Sequence, residues 1–216
     1  MNSKTILFSL LFIAACCRPG YGQEDWSLKS DKDGIAVFTR SFPDSKFKAV
    51  KVECTLAASL SQLVAVILDV NTGDQWVYST KSAYLLRQIS ASELIYYSEI
   101  SVPWPASNRD FIAHLSVVQD ARTKVVTVYG PTLPDYVPVK KDVVRIVQSE
   151  GRWVITPLGP NRIKVEYTLR VDPGGNIPAW LVNMFAAKGP TESFRKLKTH
   201  IRKSGYQNIH LPFITD

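Results

Sequence analysis

Residues 162–205 change period in the middle: Arg162-Ile163-Lys164-Val165-Glu166-Tyr167-Thr168-Leu169-Arg170-Val171, then Asp172-Pro173-Gly174-Gly175, then Ile177-Pro178-Ala179-Trp180-Leu181 and onward to Gly205. Up to Val171 the period is two. Val165, Tyr167, Leu169 and Val171 alternate with Lys164, Glu166, Thr168 and Arg170, the pattern of a strand with one solvated face. After the Asp172–Gly175 turn the period becomes helical. Pro178 suits a first helical turn, and Ile177, Trp180, Leu181, Met184 and Phe185 form one apolar stripe. Phe194, Leu197 and Ile201 resume that stripe, and Gly189-Pro190 is expected to kink the helix between the two halves. A half-solvated strand leading into a long striped helix implies a sheet with an apolar face that a helix covers.

Upstream, the same two periods organise the rest. Strands are expected at Ile35–Phe42 and Phe47–Leu56, joined through Pro43-Asp44-Ser45. On the second of these Val50, Val52, Cys54 and Leu56 share one face, so Cys54 reads as a buried structural thiol. Ser59 is placed to cap a helix with Leu60, Leu63, Val64, Ile67 and Leu68 on one side. Seven further strands are read at 81–89, 93–101, 110–119, 123–129, 142–149, 152–156 and 162–171. The order is strands, helix, many antiparallel strands, then a long amphipathic helix: an α+β fold in one domain.

The chain has 216 residues, 45% of them apolar and 21% charged, with 26 Lys and Arg against 19 Asp and Glu. This composition excludes a disordered or low-complexity chain, and the length fits roughly one domain of ~100–200 residues. Lys4 followed by the apolar run Ile6 to Cys17 reads as a signal peptide over 1–22, too short to span a bilayer. Gly20-Tyr21-Gly22 would leave Gln23 as the new N-terminus of a domain over 23–216. Ile13-Ala14-Ala15-Cys16 resembles a lipobox, which would instead anchor the protein through Cys16. Both readings predict export, to the periplasm or beyond. Cleavage after Gly22 leaves Cys54 as the lone cysteine, so no intramolecular disulfide is available.

Catalytic signatures are missing: the sequence has no G-x-S-x-G, G-x-G-x-x-G, P-loop or H-E-x-x-H. His114, His200 and His210 are scattered, with no metal-ligand spacing. The chain therefore reads as a non-enzyme with no cofactor, no metal and no nucleic-acid partner. Arg195, Lys198 and Arg202 share a face of the last helix, which reads either as a solvated surface or as attraction to anionic membrane.

A set of short motifs then falls in a familiar order. These are Asp33-Gly34-Ile35, Gln75-Trp76, Tyr96-Tyr97-Ser98-Glu99 with Pro103-Trp104-Pro105 and Ser107-Asn108-Arg109-Asp110-Phe111, Gly151-Arg152-Trp153, and Asp172-Pro173-Gly174-Gly175 with Ile177-Pro178-Ala179-Trp180-Leu181. In that order, over Trp26 to Lys203, the chain resembles the START (StAR-related lipid-transfer) domain, as a free-standing bacterial-type member. The resemblance implies a helix-grip fold, in which a curved antiparallel sheet wraps the long C-terminal helix and an apolar tunnel holds one lipid or other hydrophobic small molecule.

It also implies a site. Glu99 and Arg109 are expected to face each other inside the tunnel, across the Pro103-Trp104-Pro105 connection. Tyr97, Phe111, Trp153, Tyr167, Trp180, Met184 and Phe185 would complete its lining. The proline-rich stretch Gly130 to Pro138 would carry Leu133, Tyr136 and Val137 over the tunnel mouth. Lys140 and Lys141 would touch anionic lipid headgroups, with the protein acting as a monomer. Two rivals remain: an enzyme of cyclase or hydrolase type using Glu99 as a base, and a ligand-free interaction module of the cell envelope.

Overall fold

The structure, a computed structural model, describes residues 26–43, 45–175, 177, 182, 185, 186 and 188–216. The signal-peptide reading, Cys16, Trp180 and Met184 lie outside these residues. Among the described residues ten strands form one sheet: β1 (Ser27–Lys32), β2 (Ile35–Phe42), β3 (Ser45–Leu56), β4 (Thr80–Ser90), β5 (Glu93–Ile100), β6 (Asn108–Gln119), β7 (Val126–Pro131), β8 (Val143–Arg145), β9 (Gln148–Pro157) and β10 (Ile163–Asp172). The order across it is β1-β2-β3-β10-β9-β7-β6-β5-β4, with β8 beside β6. Helices bounded within the described residues include α1 (Leu60–Leu68), α2 (Gly73–Trp76) and α3 (Gly189–His200).

The α+β helix-grip reading holds, and its local causes are visible. Ser59 caps α1 by accepting the Gln62 N–H at 3.2 Å, satisfying one of the orphan donors of the first turn. Leu60, Leu63, Val64 and Ile67 are buried in the same core as the Val50–Leu56 face of β3 and the Ile163–Val165 end of β10. Cys54 sits in that core, and burial pushes its thiol up to about 11. In α3, Pro190 lies in the first turn, where its missing N–H costs nothing. Phe194, Leu197 and Ile201 are buried against the sheet. Lys198 donates to the Asp33 carbonyl and Arg195 pairs with the Asp33 carboxylate, so the basic side of α3 is partly engaged in tying the helix to the β1–β2 turn. That turn holds Asp33 and Gly34 at φ of 55° and 65°.

Two strand assignments change. The stretch read as one strand over 142–149 is divided: β8 runs parallel to the start of β6, pairing Arg109 with Val144 and Asp110 with Arg145. β9 then runs unbroken through Gly151, which lies opposite Gly130 on one side and Leu169 on the other. A side chain at Gly151 would meet the Tyr167 hydroxyl at 3.5 Å. The glycine ends no strand, and a Cβ there would be in ordinary contact with the tyrosine.

Sheet faces follow from α3. Phe194 stacks on Trp153 with ring centroids 5.4 Å apart, so Trp153 points inward. Register then carries that parity from Trp153 to Tyr167 on β10, to Val128 on β7 and to Val117 on β6. Because side chains alternate, Leu115, Ala113, Phe111 and Arg109 also point inward along β6. Opposite them on β5 stand Leu94, Tyr96, Ser98 and Ile100. Ile95, Tyr97 and Glu99 of β5, with Ile112 and Asp110 of β6, point to the outer face.

Candidate functional site

The expected Glu99–Arg109 pair does not form. Glu99 stands opposite Asp110, and Arg109 opposite Ile100. One residue of register separates this from the expected pairing, and one residue turns a side chain to the other side of the sheet. Arg109 is inside and Glu99 is outside.

On the outer face the strap between β7 and β8 folds over the sheet. Leu133 and Val137 pack on a small second core of Ile95, Tyr97 and Ile112. Arg145 pins the strap: its Nε and Nη2 donate to the two Asp110 carboxylate oxygens at 2.7 and 3.1 Å. Its remaining N–H groups reach the carbonyls of Pro134, Val137 and Pro138. The Asp110 side chain is 0% exposed, and its hydrogen bonds hold the Arg145 guanidinium above the ordinary arginine range. Beside this knot Glu99 accepts from Lys81 Nζ and Asn108 Nδ2, both at 2.8 Å, with Lys140 Nζ at 3.7 Å. The Lys81 hydrogen bond leads in holding the Glu99 carboxyl below its usual range. Lys140 also lies 4.1 Å over the Tyr97 ring.

These contacts correct several expectations. Glu99 and Tyr97 belong to an outer-face network, not to an interior ligand site, and Glu99 is an ion-paired carboxylate with no access to the inner face as a base. The 133–137 segment, with Leu133, Tyr136 and Val137, caps the outer face rather than the space under the last helix. The expected loop over Gly130 to Pro138 starts later than expected, since Gly130 and Pro131 end the inner strand β7; beyond them Leu133 and Val137 serve the second core, while Tyr136 is exposed. Of the strap's end, Lys140 is engaged by Glu99 and Tyr97, while Lys141 is exposed.

The inner face has a graded interior. At the end near the β9–β10 turn, Ile163, Val165, Ile155, Val126 and Leu115 are buried solidly. Toward the other end Tyr167, Leu169 and Val171 on β10, and Phe111 and Tyr96 on β6 and β5, remain only half-buried. Aromatic rings step across this boundary: Trp153 to Tyr167 at 4.5 Å, Trp153 to Trp76 at 6.3 Å and Tyr96 to Phe111 at 5.7 Å. Phe185 meets Tyr78 edge-on at 5.9 Å. Burial pushes the Tyr96 and Tyr167 phenols up, Tyr167 to about 12. Both hydroxyls nevertheless lack a protein hydrogen-bond partner among the described residues, and both residues keep accessible surface.

Arg109 closes the loose end. It is 4% exposed, and its guanidinium joins two loops: Nη1 donates to the Ser107 carbonyl at 2.5 Å, Nη2 to Gly174 at 3.4 Å and Nε to Pro173 at 3.5 Å. Gly174 and Gly175 both sit at positive φ, 66° and 61°, which side chains rarely adopt. A Cβ on Gly174 would press on Val144 at 3.3 Å. The double glycine thus lets the β10–helix connection close over Val144 and Arg109. Sequence reasoning placed Arg109, Phe111, Trp153 and Tyr167 on apolar-facing positions, and the structure puts them on one face. It missed Tyr96, since choosing between two adjacent tyrosines needs the register. It also missed Asp110–Arg145, although the alternation that sends Arg109 inward sends Asp110 outward.

Among the described residues no cluster of three or more His, Cys, Asp or Glu is arranged to hold a metal ion, and no helix is long and apolar enough to cross a membrane.

Comparison with known proteins bears on what this interior is for. A family model described as START domain matches residues 18–206. An uncharacterized protein of Pseudomonas aeruginosa is 31% identical over 180 residues, covering 83% of this chain and 88% of that protein. Phosphatidylcholine transfer protein of Rattus norvegicus is 28% identical over 193 residues, covering 86% of this chain and 88% of its own length. Among solved structures, a STAR-related lipid transfer protein fragment from Xanthomonas axonopodis superposes with a TM-score of 0.76 at 32% identity, over 82% of this chain and 99% of that one.

The Asp110–Arg145 knot yields a test. Asp110→Ala strands a buried guanidinium, and breaking such a pair costs ~3–5 kcal/mol. Denaturant unfolding should show a loss of that size; a loss below ~1 kcal/mol would mean that the strap is not held by this pair.

Proposed function

The chain belongs to the START domain family, and from that premise we propose that it encloses one lipid or other hydrophobic small molecule between the inner face of its sheet and the C-terminal helix, and carries it without covalent chemistry. The observation that supports this most directly is the pair Tyr96 and Tyr167. Two phenols desolvated enough to be shifted upward, without protein partners and with surface left accessible, line a hollow better than a packed core, because buried polar groups in a solid interior are paired. Half-buried Phe111, Leu169 and Val171 supply the apolar wall that a hydrocarbon chain needs. The names of the phosphatidylcholine and STAR-related relatives point the same way. The enzyme reading loses its base once Glu99 lies on the outer face.

Solvent extraction of the purified protein, followed by mass spectrometry, should release one hydrophobic molecule per chain. Phe111→Trp should reduce that occupancy while leaving the melting temperature nearly unchanged, since added volume is harmful only where there is no room. A stability loss of ~1–3 kcal/mol with no ligand recovered from either protein would instead mean a solid core.

The place of membrane contact in this reading is the end where the hollow loosens. Arg109 fastens the 101–107 loop there, and Trp104 in that loop is 89% exposed. Val139 and Val147 are exposed on neighbouring segments, with Lys140 and Lys141 between them in sequence. An exposed indole suits the headgroup region of a bilayer, and exposed lysines on the same chain add attraction to an anionic surface. Trp104→Ala should slow ligand exchange with vesicles several-fold without changing the fold; unchanged exchange would exclude this loop as the contact.

Export belongs to the same proposal, resting on Lys4 and the Ile6–Cys17 run. The intact mass of the mature protein should correspond to an N-terminus at Gln23, or to lipidated Cys16. A chain retaining Met1 would contradict both.

A further inference from the structure

Two arginines lie on adjoining strands at the same end of the sheet, one on each face, and their surroundings differ. Arg145 is charge-compensated and saturated: Asp110 takes two hydrogen bonds and three carbonyls take the rest, matching the five donors of a guanidinium. Arg109 is equally buried but has no carboxylate partner among the described residues. Its three contacts are backbone carbonyls, two of them long at 3.4 and 3.5 Å. Among the described residues two of its five N–H groups find no acceptor.

Placement adds direction to this deficit. Arg109 shares the inner face with Phe111, and Phe111 packs against Tyr96 at 5.7 Å. Arg109 therefore stands at the polar end of the half-buried aromatic wall. No acidic side chain among the described residues reaches it on that face, since Glu99 and Asp110 are committed on the other. Burial alone pulls its charge below the ordinary arginine range. A buried cation without a counter-charge is costly unless something else supplies that charge.

Resting on the lipid-binding reading above, we propose that the ligand is an amphiphile with an anionic oxygen group, a phosphate or a carboxylate, and that Arg109 receives that group while Tyr96, Phe111 and Tyr167 hold the apolar part. A neutral lipid such as a diacylglycerol or a sterol would enter the same hollow but leave the guanidinium uncompensated. Charge-assisted bonds from a planar fork to phosphate or carboxylate are the strong class, so the head group decides selectivity.

The test compares lipids that differ in head group alone. The full mature chain is loaded from vesicles containing equal amounts of dioleoylphosphatidic acid and dioleoylglycerol, then separated and read by native mass spectrometry. Both lipids leave the same membrane surface, so attraction of the protein to that surface cancels. Wild type should take up phosphatidic acid on the order of tenfold or more over the glycerolipid. Arg109→Gln should bring the ratio close to one while glycerolipid uptake persists, and Arg109→Lys should keep part of the preference. A parallel pair, oleate and oleyl alcohol, separates carboxylate from phosphate as the favoured group.

A wild-type ratio near one in both pairs would overturn the assignment, and so would a preference that survives Arg109→Gln. If Arg109→Gln does not fold, the wild-type ratio and Arg109→Lys still decide. Failure to load any of the four lipids would count against lipid binding itself, a different failure from loading without preference.

Discussion

The pleat of β5 and β6 is the constraint on which the rest of this molecule depends. With Glu99 opposite Asp110, every polar side chain of the Ser107–Asp110 turn is sorted to a face. Asp110 goes outward, where it meets Arg145 and fastens the strap. Arg109 goes inward, where it fastens the 101–107 loop to the double-glycine turn. Slipping this register by one residue would bury Asp110 in the interior and expose Phe111 and Tyr96, so the buried ion pair and the aromatic wall specify the same register from opposite sides. A buried pair is weak evidence for stability when its alternative is a packed apolar core. Here its partner carbonyls on Pro134, Val137 and Pro138 make it a specificity device that holds one irregular segment in one place.

That arrangement also shows how far a sequence can be read. Within each strand the alternation was sufficient: Ile95, Tyr97 and Glu99 do share a face, as do Arg109 and Phe111. Between strands it was not. The connection from Ser101 to Ser107 is irregular, and alternation says nothing about parity across a loop whose length in the pleat is unknown. The helix signals fared better, because Ser59 and the 60–68 stripe are local, and so is the buried face of α3. Gly151 and the Gly130-Pro131 pair interrupt nothing, for Gly130 pairs with Gly151 and Pro131 with Glu150 across the β7–β9 ladder. β8 was illegible as a parallel strand, since three residues carry no period. The family's order of motifs recovered the fold without recovering which side of the sheet each motif serves.

Two cores share this sheet and differ in kind. The outer one is small, capped by Leu133 and Val137, and closed by ion pairs that leave few donors over. The inner one is large and solid at one end, where Trp153, Phe194 and Leu197 interlock, and loosens toward Tyr96, Phe111 and Arg109. Interiors are normally packed to crystal-like density, with few voids larger than a water molecule. A gradient of this kind along one face, whose loose end holds phenols without a hydrogen-bonding partner and a guanidinium without a counter-charge among the described residues, is the reverse of what stability alone would select.

It becomes economical if the ligand is counted as part of the core. An apolar chain against Leu169, Phe111 and the tyrosine rings would supply the contacts that the half-buried side chains lack, and its charged end would supply the counter-ion missing at Arg109. Binding of that kind stabilises the folded state by mass action, in proportion to the logarithm of ligand over dissociation constant. It also explains why the polar closure sits where it does. Arg109 ties the loops at this end to the Ser107 and Gly174 carbonyls at 2.5 and 3.4 Å, and its remaining N–H groups are the ones the proposed head group would take. One guanidinium would then do two things at once, fastening two loops through backbone carbonyls with three donors and offering the remaining two to the charge it lacks.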